Sequence, residues 1–267
     1  MGKKLLSPFP TCQLENRFTS RKVETPSDML RCDPLMSSSV ELPSPLELPE
    51  LPPEMQIAGE EELFFRTEDG FRIEALANLA PSAERVAVLC HPHPLDGGTM
   101  HNAIVVVLAK RLLERGQGRV GWIRFNYRGV GRSEGRYGAS KAEVLDALAA
   151  LAEARRRVAP ARLSLAAYSF GTGVAYRAAI VRKDVDRVSL IAPSPRTIAD
   201  EVGEYTGPVQ LVAAGRDPYC TAQESKDLAR RLGASLRVIE EAEHDFVRFR
   251  RGVANLAVPF IAPELAP

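Results

Sequence analysis

Six short apolar runs, at 86–90, 120–126, 163–168, 188–192, 209–214 and 236–239, recur along the chain with helical patterns between most of them. Short runs of this kind suit strands of a parallel sheet buried on both faces. The segments 99–115 and 140–157 place Ile104, Val107, Leu108 and Leu112, and Val144, Leu145, Leu148 and Leu151, at helical spacing. Further helices are expected at 171–183, 221–232 and 245–257. Two opening strands near 61–67 and 71–79 flank Glu68-Asp69-Gly70, a hairpin signal. Strand–helix alternation with right-handed crossovers predicts an α/β fold: a mostly parallel, doubly wound sheet of about eight strands. In such sheets ligands bind beyond the carboxyl ends of the strands, so the residues just after each strand matter most.

This pattern starts only near residue 58. Nine of the twenty prolines fall in the first 55 residues, and 41–62 holds seven glutamates with no Lys or Arg. Such a stretch buries too little apolar surface to offset its ordering entropy. The expected organisation is a Pro-rich flexible leader over 1–57 and one domain over 58–267. An over-long gene start, with Met36 or Met55 as initiator, is the alternative origin of the leader.

Composition excludes several function classes. A net charge of +1 gives no electrostatic reason to expect nucleic acid. The basic runs 155–157 and 248–251 fit solvated helix faces. Cys12, Cys32, Cys90 and Cys220 show no CxxC spacing, which argues against a cysteine metal site and against a disulfide framework. Met1-Gly2-Lys3-Lys4 leads into a Pro-broken stretch too short for a signal peptide, and Leu6 does not fit myristoylation. No run of about 18 apolar residues occurs. A reduced, cytoplasmic protein without a membrane span is expected.

The chemistry collects after three strands. Ala167-Tyr168-Ser169-Phe170-Gly171 lies between an apolar strand and a helix. It reads as the nucleophile elbow G-x-S-x-G with Ala in the first Gly position. The turn is so sharp that the residues two before and two after the serine must be small. Gly215-Arg216-Asp217-Pro218 puts a carboxylate after the run at 209–214, and Glu243-His244-Asp245 puts an imidazole after the last. The chain order Ser, Asp, His is that of an α/β-hydrolase. Ser169, Asp217 and His244 are the expected catalytic triad.

Two further segments carry a resemblance. Cys90-His91-Pro92-His93-Pro94-Leu95-Asp96-Gly97-Gly98-Thr99-Met100-His101-Asn102 resembles the HPHP-x-x-GGTM-x-N segment of a bacterial family of small α/β-hydrolases. Phe125-Asn126-Tyr127-Arg128-Gly129-Val130-Gly131-Arg132-Ser133-Glu134-Gly135 is similar to that family's F-N-x-R-G-x-G-x-S-x-G stretch. The resemblance spans roughly residues 60 to 260 and implies a serine hydrolase. Ala167 departs from the family's usual Gly, and His101 stands where Asp or another polar residue is expected.

The HPHP loop follows the third strand, the place that supplies one oxyanion-hole N–H in this fold. Pro92 and Pro94 have no N–H, which leaves His93 or Leu95 as donor beside Phe170. The side chains of His91 and His93 either orient the loop or touch substrate; His91 and Tyr168 are carried as substrate-binding candidates. Without a carboxylate or cysteine cluster the histidine pair does not suggest a metal. Arg128 is expected to pair a carboxylate in a tight loop, and Asp96 to sit in a turn. Only 193–207 separates the sixth strand from the seventh, counting the two opening strands, too short for a lid domain.

Acyl transfer to water follows from these residues, on a small-molecule ester or thioester and with no cofactor. A peptidase or amidase, an acyltransferase that excludes water, and a non-catalytic scaffold of the same fold are the alternatives. Nothing in the sequence specifies the substrate.

Overall fold

A computed structural model describes residues 53–159, 161–198 and 205–265. Most of the expected leader, residues 1–52, lies outside the described residues, as do Cys12 and Cys32. Eight strands form one sheet: β1 (Glu61–Arg66), β2 (Arg72–Asn78), β3 (Arg85–Cys90), β4 (Val120–Phe125), β5 (Arg162–Tyr168), β6 (Val185–Ile191), β7 (Val209–Ala214) and β8 (Ser235–Ile239). Their spatial order is β1-β2-β4-β3-β5-β6-β7-β8. The β1–β2 hairpin and its junction with β4 are antiparallel, and every other pairing is parallel. Every residue of β3, β4 and β7 is buried, whereas the edge strand β8 is half exposed. That is the expected cost of covering both faces of a parallel sheet, and it explains the continuous apolar runs.

The helices are α1 (Ala103–Gly116), α2 (Glu143–Arg157), α3 (Phe170–Val181), the single turn α4 (Pro195–Ile198), α5 (Ala222–Leu232) and α6 (Arg250–Ile261). The chain steps from β3 outward to β4 and back past β3 to β5. Right-handed crossovers therefore put α1 and α2 on opposite faces. Accordingly α1 packs on α6, and α2 on α3. The strand order reverses at β3, so the crevice between the carboxyl ends of β3 and β5 is the topological switch point.

Local capping fixes the helix starts. Asn102 Oδ1 accepts the Ile104 N–H at 2.9 Å, so α1 begins at 103 and the expected 99–102 portion is a turn. Thr221 and Glu224 form a reciprocal capping box at α5. The last helix is displaced from the expected 245–257 to 250–261. Phe246 is fully buried with φ 49°, in the left-handed region, and Phe249 N–H donates to Phe246 O at 2.8 Å, so this stretch is a turn. Pro259 lies in the last helical turn, where its missing N–H removes a single helical bond.

Residues just upstream of the boundary expected at 58 also pack on the domain. Pro53–Met55 form a 3₁₀ turn, and Ile57 lies in the hydrophobic core with Met55 packed against it. Glu60 fixes this segment. Its carboxylate accepts from Trp122 Nε1 at 2.9 Å and from Arg124 Nε at 2.7 Å, both nearly or fully buried side chains. Arg124 spends a further N–H on Met100 O at 3.0 Å.

Candidate active site

The three residues expected to act together converge beyond the carboxyl ends of β5, β7 and β8. Ser169 sits between β5 and α3 with φ 53° and ψ −121°, a strained conformation that lifts its side chain off the strand. Gly171 makes the turn possible. A Cβ there would meet His91 O at 2.6 Å and Cys90 O at 3.0 Å, so β3 and α3 touch backbone to backbone. Ser169 Oγ lies 2.9 Å from His244 Nε2, and His244 Nδ1 lies 2.7 Å from Asp217 Oδ2. Asp217 is buried and its Oδ1 accepts the Tyr219 N–H at 2.8 Å. Both carboxylate oxygens are thus engaged. His244 must carry its proton on Nδ1 to meet Asp217, which leaves Nε2 free to accept from the serine hydroxyl.

The HPHP loop flanks the serine from β3. His91, a substrate-binding candidate from the sequence, is fully buried and does not reach the cavity. Its Nε2 accepts the Tyr127 N–H at 3.1 Å and its Nδ1–H donates to Pro92 O at 2.7 Å. Burial pushes its pKa down to about 3, so the ring is a neutral brace. The alternative reading, that this histidine orients the loop, describes its place. Leu95, the other candidate oxyanion donor, does not line the cavity, and its N–H donates to His93 Nδ1 at 3.2 Å. His93 itself faces the cavity, with its ring edge-to-face on Phe170 at 4.8 Å and its Nε2 3.1 Å from Tyr137 Oη. Phe170 is the first residue of α3, where helix geometry leaves its N–H without an intrahelical acceptor.

The two sequence segments that carry the resemblance form one hydrogen-bonded frame. Asn126, fully buried, accepts the Met100 N–H at 2.8 Å and donates to Glu74 Oε2 at 2.8 Å. Ser133 Oγ donates to Asn126 O at 2.8 Å and accepts the Glu74 N–H at 2.9 Å. Arg128 pairs with Asp146 at 2.9 Å and Asp69 at 2.8 Å. Gly98 is required where it stands, because a Cβ would lie 2.4 Å from Pro92 O. His101 points away from the site, its Nδ1 3.2 Å from an Arg124 N–H. Burial, reinforced by that guanidinium, pushes it down to about 4.

A cavity of about 450 Å³ opens over Ser169, lined by His93, Phe170, Tyr168, Tyr219 and Pro193 among others. A larger hollow of about 730 Å³ touches Arg162, Val185 and Pro208, at the amino ends of β5 to β7. It lies at the wrong end of the sheet to receive any of the three residues. Tyr168 lines the smaller cavity, but its hydroxyl donates to His244 O at 2.9 Å, so it holds the histidine loop as well as forming wall. Tyr219 was not singled out by sequence. Its side chain is 73% exposed and meets the His244 ring edge-to-face at 4.8 Å. Tyr137 was not singled out either and, like Tyr219, carries no sequence signal of its own; Asn102 entered only as the last residue of the GGTM-x-N segment, without a role at the cavity. Asp96 does sit in a turn, but its residue also lines the cavity.

No protein-family model matches the sequence. An uncharacterized protein of Rickettsia prowazekii is 29% identical over 198 residues, covering 69% of this chain and 82% of its own length. Among solved structures, an alpha-beta serine hydrolase homologue from Coxiella burnetii is 28% identical, with a TM-score of 0.69 over 78% of this chain and all of the other. A Xanthomonas campestris protein described as an α/β serine hydrolase without a lid is 24% identical, with a TM-score of 0.68, over 79% of this chain and 97% of the other. The chain has the α/β-hydrolase fold, with an eight-stranded, mostly parallel sheet. The connection from β6 to β7 holds only the α4 turn among the described residues and is too short for a lid domain.

Proposed function

We propose that this protein is a serine hydrolase that cleaves a small ester or thioester through an acyl-enzyme. The observation that carries the reading is the unbroken hydrogen-bond chain from Ser169 through His244 to Asp217, at 2.9 and 2.7 Å. Ser169 attacks the acyl carbonyl while His244 Nε2 takes the hydroxyl proton. The tetrahedral intermediate collapses as His244 returns that proton to the leaving oxygen or sulfur. Water then repeats the sequence on the acyl-enzyme. Asp217 holds the ring in the accepting tautomer and stabilises the imidazolium. The Phe170 N–H, with the positive end of α3 behind it, and the His93 N–H receive the oxyanion.

The fold and the serine hydrolase homologue among its neighbours support this reading. A non-catalytic scaffold would have no use for a buried carboxylate aligned on an imidazole. The test is fluorophosphonate labelling followed by intact-mass spectrometry. Wild type should gain one adduct and Ser169→Ala none; equal labelling of both proteins would remove Ser169 as the nucleophile.

A further inference from the structure

We infer that the cavity over Ser169 accepts uncharged, apolar acyl groups and turns away acyl groups that carry an anion. This rests on the hydrolase reading above and adds the substrate class to it. Among the described residues no lysine or arginine lines the cavity, and its one charged side chain outside the triad is Asp96. His93 stands only 3.7 Å from the Asp96 carboxylate. Its ring nitrogens are already engaged within the wall, Nδ1 accepting the Leu95 N–H at 3.2 Å and Nε2 lying 3.1 Å from Tyr137 Oη. The remaining wall is largely aromatic and proline carbon, from Phe170, Tyr219 and Pro193.

An acyl carboxylate entering this space would surrender hydration without meeting a cation, and would approach a like charge. An apolar acyl group loses no hydrogen bond on entry and finds ring faces to pack on. Asp96 is 83% exposed in its side chain, so water and salt weaken the repulsion, while the desolvation of an unpaired anion persists. A cavity of about 450 Å³ lies within the range of small-molecule sites, about 300 to 1,000 Å³, and has room for an apolar acyl chain.

The test compares methyl butyrate with monomethyl succinate on the full chain, since the two acyl groups differ by a terminal methyl against a carboxylate. The expected kcat/KM ratio favours butyrate by about tenfold or more, the scale on which one apolar pocket discriminates. Asp96→Asn should narrow the ratio by about twofold to fivefold, and 0.5 M NaCl should narrow it in wild type. A ratio near one, or one that Asp96→Asn leaves untouched, overturns the inference. If neither methyl ester turns over, the p-nitrophenyl esters of hexanoic and adipic acid replace them. Silence on all four while Ser169 still labels with fluorophosphonate also overturns it. Loss of that labelling would instead bring down the hydrolase reading, so the two failures are distinguishable.

Discussion

The Tyr219 amide donates to Asp217 Oδ1 at 2.8 Å, which leaves Oδ2 alone to face His244 Nδ1. This division of the carboxylate sharpens what a substitution should do. In Asp217→Asn the side-chain oxygen keeps the Tyr219 bond, so the new NH₂ points at His244 Nδ1. The imidazole must then accept there and carry its proton on Nε2, where it cannot take the serine proton. We expect kcat on a simple ester to fall by about 10⁴ with the melting temperature nearly unchanged. A fall of less than about tenfold in steady-state kinetics would mean that another carboxylate orients His244.

The oxyanion assignment can be tested with little backbone strain. His93 has φ −58° and ψ 122° and precedes Pro94. Proline adopts that φ, so His93→Pro deletes the N–H at a backbone angle the loop already has. Loss of one oxyanion donor costs about 10² to 10³ in kcat. His93→Ala removes only the ring and keeps the N–H, and should cost clearly less. Equal kcat values for the two variants, with both folded by melting temperature, would place the donor elsewhere.

Gly171→Ala should destabilise the protein because the added Cβ meets three backbone or buried atoms within 3.0 Å. Two of them are backbone carbonyl oxygens, Cys90 O at the end of β3 and His91 O just past it, which cannot move without disturbing the strand end. The expected loss is about 1 to 3 kcal/mol in urea denaturation, the usual penalty for overpacking. A midpoint equal to wild type would show that β3 and α3 can separate freely.

Two histidines make folding stability depend on pH. His91 and His101 are held neutral, with pKa values near 3 and 4 against an ordinary 6.5. Between those values and 6.5 the unfolded chain binds more protons than the folded one, so stability rises with pH there and is lost on acidification. Above about pH 7 neither histidine contributes a slope. His101→Gln should flatten the dependence between about pH 4 and 6.5, removing up to one proton of uptake on unfolding. Denaturation midpoints across that window, compared with wild type, check it; parallel curves would mean His101 titrates normally in the folded state.

Much of this arrangement was legible in the sequence. The apolar runs marked the parallel strands because a strand buried on both faces has no polar alternate positions. The elbow and the order Ser, Asp, His named the converging residues because the fold puts each just past a strand end. What escaped were features decided by tertiary packing. The last helix was expected at 245–257, yet the turn around buried Phe246 moves its start to Arg250. His91 and His93 are chemically identical in sequence, and only their burial separates a brace from a wall. Tyr219 had no pattern to announce it; an exposed aromatic after Asp-Pro looks like any loop residue.

The Glu60–Arg124 contact predicts where truncation from the N-terminal side begins to cost stability. A fragment starting at Met55 retains Ile57 and Glu60, and so keeps both the apolar plug and the counter-charge. One starting at Glu61 begins at the first residue of β1 and keeps every strand and helix, yet leaves a guanidinium sealed inside without its carboxylate. Stranding a buried charge in this way typically costs about 3 to 5 kcal/mol, a large share of the 5 to 15 kcal/mol that holds an ordinary domain together. A chain starting at Glu61 is therefore expected to melt well below one starting at Met55, although both keep every strand and helix; equal melting temperatures would show that Arg124 finds water once Glu60 is gone.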